Sequence, residues 1–97
     1  MKSLQEIKEI ISGHRDELKT RFTVSNVGIF GSYAKGRSTD TSDIDVLVEF
    51  DKPISLLTLV SLENYLSDIT EVKVDVVPKG DIRLELKERI LSETVYI

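Results

Sequence analysis

The 97-residue sequence has no cysteine, no tryptophan, one histidine and only two prolines. Without cysteine there is no disulfide framework and no thiolate metal site, and a single histidine leaves too few ligands for zinc. A metal in this chain would fall to carboxylates, which favour a hard ion such as magnesium. Long apolar runs are also missing. None approaches the length that crosses a bilayer, and the amino-terminal MKSLQEIKEI alternates charged with apolar residues where a secretory leader would be continuously apolar. These absences point to a cytoplasmic protein without a membrane partner. Basic residues are in deficit, 13 against 17 acidic ones, for a net charge of -4. That balance offers no broad attraction for polyanions and speaks against nucleic acid as partner. Tyr33, Tyr65 and Tyr96 are scattered, so no base-stacking platform can be argued either.

A hydrophobic content of 40% is enough for one modest core, and residues 1–97 are expected to form a single domain. Ser3 and Glu6 have the spacing of a capping box, and Leu4, Ile7, Ile11 and Leu18 recur at helical spacing, which predicts a helix over 4–19. His14 falls within that stripe and is expected at the edge of the core, without a chemical role. VSNVGIF (24–30) reads as a strand that stops at Gly31; SYAKG reads as a short helix, followed by the polar loop RSTDTS. DIDVLVEF (43–50) alternates strictly, with Ile44, Val46, Val48 and Phe50 on one face and Asp43, Asp45, Leu47 and Glu49 on the other. Ser55 is placed to cap a helix over 56–66. VKVDVV (72–77) is a third strand, ended by Pro78 and Gly80. Asp81 is the expected cap of a last helix reaching about Ser92, and TVYI is a candidate fourth strand. The order gives a small α/β (α+β) fold, a mixed sheet of three or four strands with helices mainly on one face.

Chemistry concentrates in a few residues. Asp43 and Asp45 are two apart on a strand, so both carboxylates project from the same face and repel each other unless a cation lies between them. Asp75 interrupts an apolar strand where β-propensity disfavours it. If its strand pairs beside 43–50, three carboxylates meet on one sheet face, a donor set suited to one or two magnesium ions that also bind substrate phosphates. Gly31-Ser32 stands where a strand turns, with backbone N–H groups and a hydroxyl available to phosphate oxygens. Lys35 and Arg37 follow at once and offer cations to a triphosphate or its pyrophosphate leaving group.

Gly31-Ser32, ten residues, then Asp43-Ile44-Asp45, with Asp75 further on, resembles the signature of the nucleotidyltransferase superfamily that includes DNA polymerase beta. GSYAKG and SDIDVLVEF in so short a chain are similar to the minimal nucleotidyltransferase (MNT) antitoxins, the partners of HEPN ribonuclease toxins. Lys35 departs from the arginine more often found at that place. The resemblance implies transfer of AMP from ATP onto a hydroxyl, with pyrophosphate leaving and magnesium required. Asp43 and Asp45 would ligate the metal, and Asp75 would hold a second metal, accept the proton of the attacking hydroxyl, or both. Gly31 and Ser32 would cradle the β- and γ-phosphates, with Lys35, Arg37 and Ser42 completing the nucleotide-binding set. The implied acceptor is a tyrosine of a cognate HEPN toxin, in a hetero-oligomer with this chain. Leu56, Leu57, Leu59, Val60, Leu62 and Leu66 cover more than half of their helix, wider than a small sheet needs, which also suggests a protein partner. Two other readings stand beside this one: an antitoxin acting by contact alone, and a nucleotidyltransferase acting on RNA ends or a small molecule.

Overall fold

A computed structural model describes residues 2–97. The elements are α1 (Leu4–Gly13), α2 (Arg15–Phe22), β1 (Val24–Phe30), β2 (Ile44–Phe50), α3 (Leu56–Thr70), β3 (Val74–Pro78), a 3₁₀ turn (Lys79–Asp81), α4 (Leu84–Glu93) and β4 (Val95–Tyr96). The sheet order is β3-β2-β1-β4, with β2 and β3 parallel and both pairs that involve β1 antiparallel. The mixed sheet, expected with three or four strands, has four.

Alternation places the core. Ile44, Val46 and Val48 of β2 and Ile29 of β1 turn to one face and are buried, where Ile7 and Ile11 of α1, Leu18 and Phe22 of α2, and Leu62 and Leu66 of α3 pack on them. Fully burying one such side chain is worth about 1.5–3 kcal/mol, so this contiguous cluster dominates the stability. A bulge at Ser25 keeps Val24 and Val27, three residues apart, on the same buried face.

Four local expectations change. The predicted helix over 4–19 is two helices, because Gly13 and His14 break the ladder; the His14 N–H bonds the Ile11 carbonyl, and Nδ1 lies 2.8 Å from the Ile10 carbonyl oxygen. SYAKG forms overlapping turns instead of a helix, closed by Lys35 N–H to the Gly31 carbonyl and Arg37 N–H to that of Ser32. Gly36, with φ +71°, leaves the right-handed region at once, so no second helical turn can form. Asp81 lies in the 3₁₀ turn and does not cap α4, which starts after Arg83 with no side-chain cap. By contrast, Ser3 and Glu6 form the full capping box, and Ser55 caps α3 through the Thr58 N–H. That last helix runs four residues beyond the expected end, to Thr70.

The strand that carries Asp75 is an edge, and its outward N–H groups are satisfied by α3. Val74 N–H donates to Ser67 Oγ at 2.9 Å and Val76 N–H to Glu63 Oε2 at 2.9 Å. Those two bonds flank Asp75 and fix the register of β3 against both β2 and α3.

Candidate active site

In the parallel pair β2–β3, Asp45 stands opposite Asp75, as Ile44 stands opposite Val74. Paired residues share a face of the sheet, so the two carboxylates are neighbours on the face away from the core. Asp43 precedes β2 by one residue, and its position is held by the Ile44 N–H bond to the Lys73 carbonyl at 2.9 Å. Burial first, then the charge of Asp75, then that of Asp43 push the Asp45 carboxyl above its ordinary range. Asp45 and Asp75 make no hydrogen bond or ion pair among the described residues; Asp43 Oδ2 lies 3.7 Å from Lys73 Nζ.

Gly31 explains its own identity. Its φ is +74°, and a Cβ built there would overlap Oδ2 of Asp45 and stand 3.2 Å from Asp45 Cγ. Only glycine allows the turn after β1 to lie directly against the carboxylate. The half-buried Ser32 follows, with no hydrogen bond to its hydroxyl among the described residues, and buried Tyr33 anchors the turn in the core. Gly31, Ser32 and Asp45 are thus brought together.

The other expected nucleotide ligands are placed less directly. Lys35 Nζ lies 3.0 Å from Glu93 Oε1 at the end of α4. Arg37 is exposed and makes no ion pair among the described residues. Ser42 Oγ accepts from the Thr39 N–H at 2.8 Å and so shapes the loop before Asp43. Glu93 and its second cation, Arg89 at 3.5 Å, were not singled out in the sequence. Their spacing of four residues in a helix reads as an ordinary surface ion pair, and nothing in the sequence placed them beside Lys35.

The donors have the chemistry of a magnesium site: hard oxygens, excess negative charge, and two carboxylates free of protein partners. Among the described residues no three carboxylates converge closely enough to share a single ion in this side-chain arrangement. An open cleft of about 860 Å³ lies at the opposite end of β2 and β3, lined by Phe50, Pro53, Leu56, Leu59, Pro78 and Lys87; none of the three aspartates borders it.

Residues 11–97 match the nucleotidyltransferase domain. The chain belongs to that family. A Methanocaldococcus jannaschii protein, MJ0126, is 50% identical over the whole of both chains. Protein adenylyltransferase MntA of Thermococcus cleftensis is 39% identical over 100% of this chain and 98% of its own. Among solved structures, a toxin-antitoxin crystallised with AMP-PNP superposes with a TM-score of 0.75 at 22% identity, covering 93% of this chain and 70% of that one. That likeness shows the fold. The resemblance to the MNT proteins therefore rests on the whole chain as well as on its motifs.

Outside this site, Leu56 and Leu57 are 75% and 81% exposed, and Val60 is 43% exposed, whereas Leu62 and Leu66 of the same helix are fully buried. Leu84 of α4 is 85% exposed. The helices are therefore more apolar than their own core requires. No helix among the described residues is long and apolar enough to cross a membrane.

Proposed function

We propose that this nucleotidyltransferase moves AMP from ATP onto a tyrosine hydroxyl of a HEPN-type toxin and so acts as the antitoxin of that partner. The observation that carries the reading is the packing of Gly31 against Asp45, with Asp75 in register beside it. This unites a phosphate-binding turn with a carboxylate pair. Support also comes from the relative named as a protein adenylyltransferase and from the toxin-antitoxin neighbour, which holds AMP-PNP.

In this mechanism the turn at Gly31 and Ser32 receives the β- and γ-phosphates through backbone N–H groups and the free Ser32 hydroxyl. Lys35 and Arg37, which follow directly in the chain, would add positive charge, and Ser42 holds the loop that leads into Asp43. Asp43, Asp45 and Asp75 would hold magnesium, which when bound supplies neutralisation of charge on the triphosphate. The acceptor oxygen attacks the α-phosphorus, the bond to the pyrophosphate oxygen breaks, and the acceptor proton passes to a carboxylate oxygen of Asp75. Asp75 has no competing hydrogen bond, which leaves it able to take that proton. The exposed Leu56, Leu57 and Leu84 supply apolar surface for a protein acceptor.

The test is a transfer assay with α-labelled ATP and magnesium, with the protein encoded beside this chain's gene as acceptor. Label should reach that protein and be lost with Asp43→Ala. A stable unlabelled complex would show an antitoxin acting by contact alone and overturn the proposal.

A further inference from the structure

Lys35 and Arg89 reach the same atom. Lys35 Nζ is 3.0 Å from Glu93 Oε1, and Arg89 Nε is 3.5 Å from it. Glu93 is largely covered, its side chain 17% exposed, whereas the side chains of Lys35 and Arg89 are 37% and 72% exposed. A nearly buried carboxylate thus gathers two cations whose outer ends face solvent. The group carries a surplus of one positive charge. Arg89 uses only Nε here, and its two terminal nitrogens make no hydrogen bond among the described residues. Lys35 retains donors beyond the one directed at Glu93.

The position gives this surplus charge a use. Lys35 belongs to the turn that begins at Gly31, since its N–H bonds the Gly31 carbonyl at 3.1 Å. That same Gly31 lies against Asp45. Through Lys35 the triad therefore ties α4 to the turn that carries Gly31 and Ser32. A nucleoside triphosphate seated with its α-phosphate at the aspartates extends its distal phosphates along that turn. A guanidinium with two free terminal nitrogens is the side chain best shaped to clasp a phosphate.

We infer that Arg89, held with Lys35 by Glu93, binds the distal phosphates of the nucleotide and the pyrophosphate that leaves, with Glu93 as the positioning residue. The inference rests on the proposed nucleotidyl transfer and adds α4 to its site. It assigns a phosphate contact to a helix that buries none of its own residues.

Magnesium-dependent binding of ATP, pyrophosphate and AMP to the full chain tests it, together with KM and kcat for transfer. Arg89→Gln should weaken ATP and pyrophosphate about tenfold, as expected for one lost charge-assisted contact, and leave AMP affinity unchanged. KM for ATP should rise and kcat should hold. Glu93→Gln should also raise KM for ATP, although it removes a negative charge, because the two cations are no longer gathered. Arg89→Lys should restore part of the loss. Equal weakening of AMP and ATP, or a lower KM in Glu93→Gln, would overturn the inference while leaving the transfer reading intact. Failure of the unaltered chain to bind ATP with magnesium would overturn both.

Discussion

Replacing Gly31 with alanine separates the chemistry of the site from the stability of the fold. Two costs are expected. The first is conformational: Gly31 has φ +74°, and an L-residue held there loses roughly 1–2 kcal/mol. For a domain of this size each 1 kcal/mol corresponds to about 4–8 °C in Tm. The second is steric: the new Cβ would overlap Asp45 Oδ2 and stand 3.2 Å from Cγ. The carboxylate would have to retreat by on the order of 1 Å to regain ordinary contact, and misplacement of that size at a reacting centre costs about 100-fold in rate. Gly36 is the matched control, because its φ is +71° but nothing lies within 4 Å of a Cβ placed there. Gly36→Ala should lose the same stability and keep transfer within about threefold of the unaltered chain. Thermal unfolding of both variants, with initial transfer rates measured well below either Tm, reads the two costs separately. Comparable activity in the two variants would refute the argument that Gly31 exists to admit Asp45.

Asp45→Asn should raise the Tm of the nucleotide-free protein by a few degrees, because burial and the charges of Asp75 and Asp43 disfavour the ionised form. The same change should remove any stabilisation by magnesium with nucleotide, so a lowered Tm without ligand would contradict the packing described. Tyr65 donates to Glu17 at 2.8 Å and, through burial first and that bond second, has its pKa pushed up to about 12 from 10.0. The raised value means that the protonated phenol stabilises the fold fully below about pH 10, with the contribution lost as pH rises toward 12. Chemical unfolding followed across that range should show the decline in the unaltered chain and a shallower one in Tyr65→Phe. Leu62→Ala, at a fully buried position, should cost about 2–5 kcal/mol. Leu57→Ala, at an 81% exposed one, should stay within about 0.5 kcal/mol in denaturant titrations.

Much of this arrangement was legible from the residues. Strict alternation in DIDVLVEF set the buried face of β2 and placed Asp45 on the other face. An aspartate among valines singled out Asp75, on the condition that its strand pairs beside β2. What alternation could not supply was strand pairing. The parallel register that sets Asp45 opposite Asp75 depends on Ser67 and Glu63 of α3 holding the outer N–H groups of β3. Those are polar residues on a helix with no individual signature. The break at Gly13 and His14 was hidden because the apolar spacing continues through it to Leu18. The partners of Lys35 were invisible for a different reason: Glu93 lies 58 positions away in sequence, and only the fold of α4 brings it to the turn.

Nucleotidyl transfer to a protein tyrosine, as proposed, depends on Asp43, Asp45 and Asp75. The most direct test is the intact mass, followed by tryptic mapping, of a HEPN-type partner protein co-produced with the unaltered chain or with Asp43→Ala. The partner should carry AMP on a tyrosine in the first case and be unmodified in the second. An unmodified partner in both, or AMP added equally in both, would contradict the proposal.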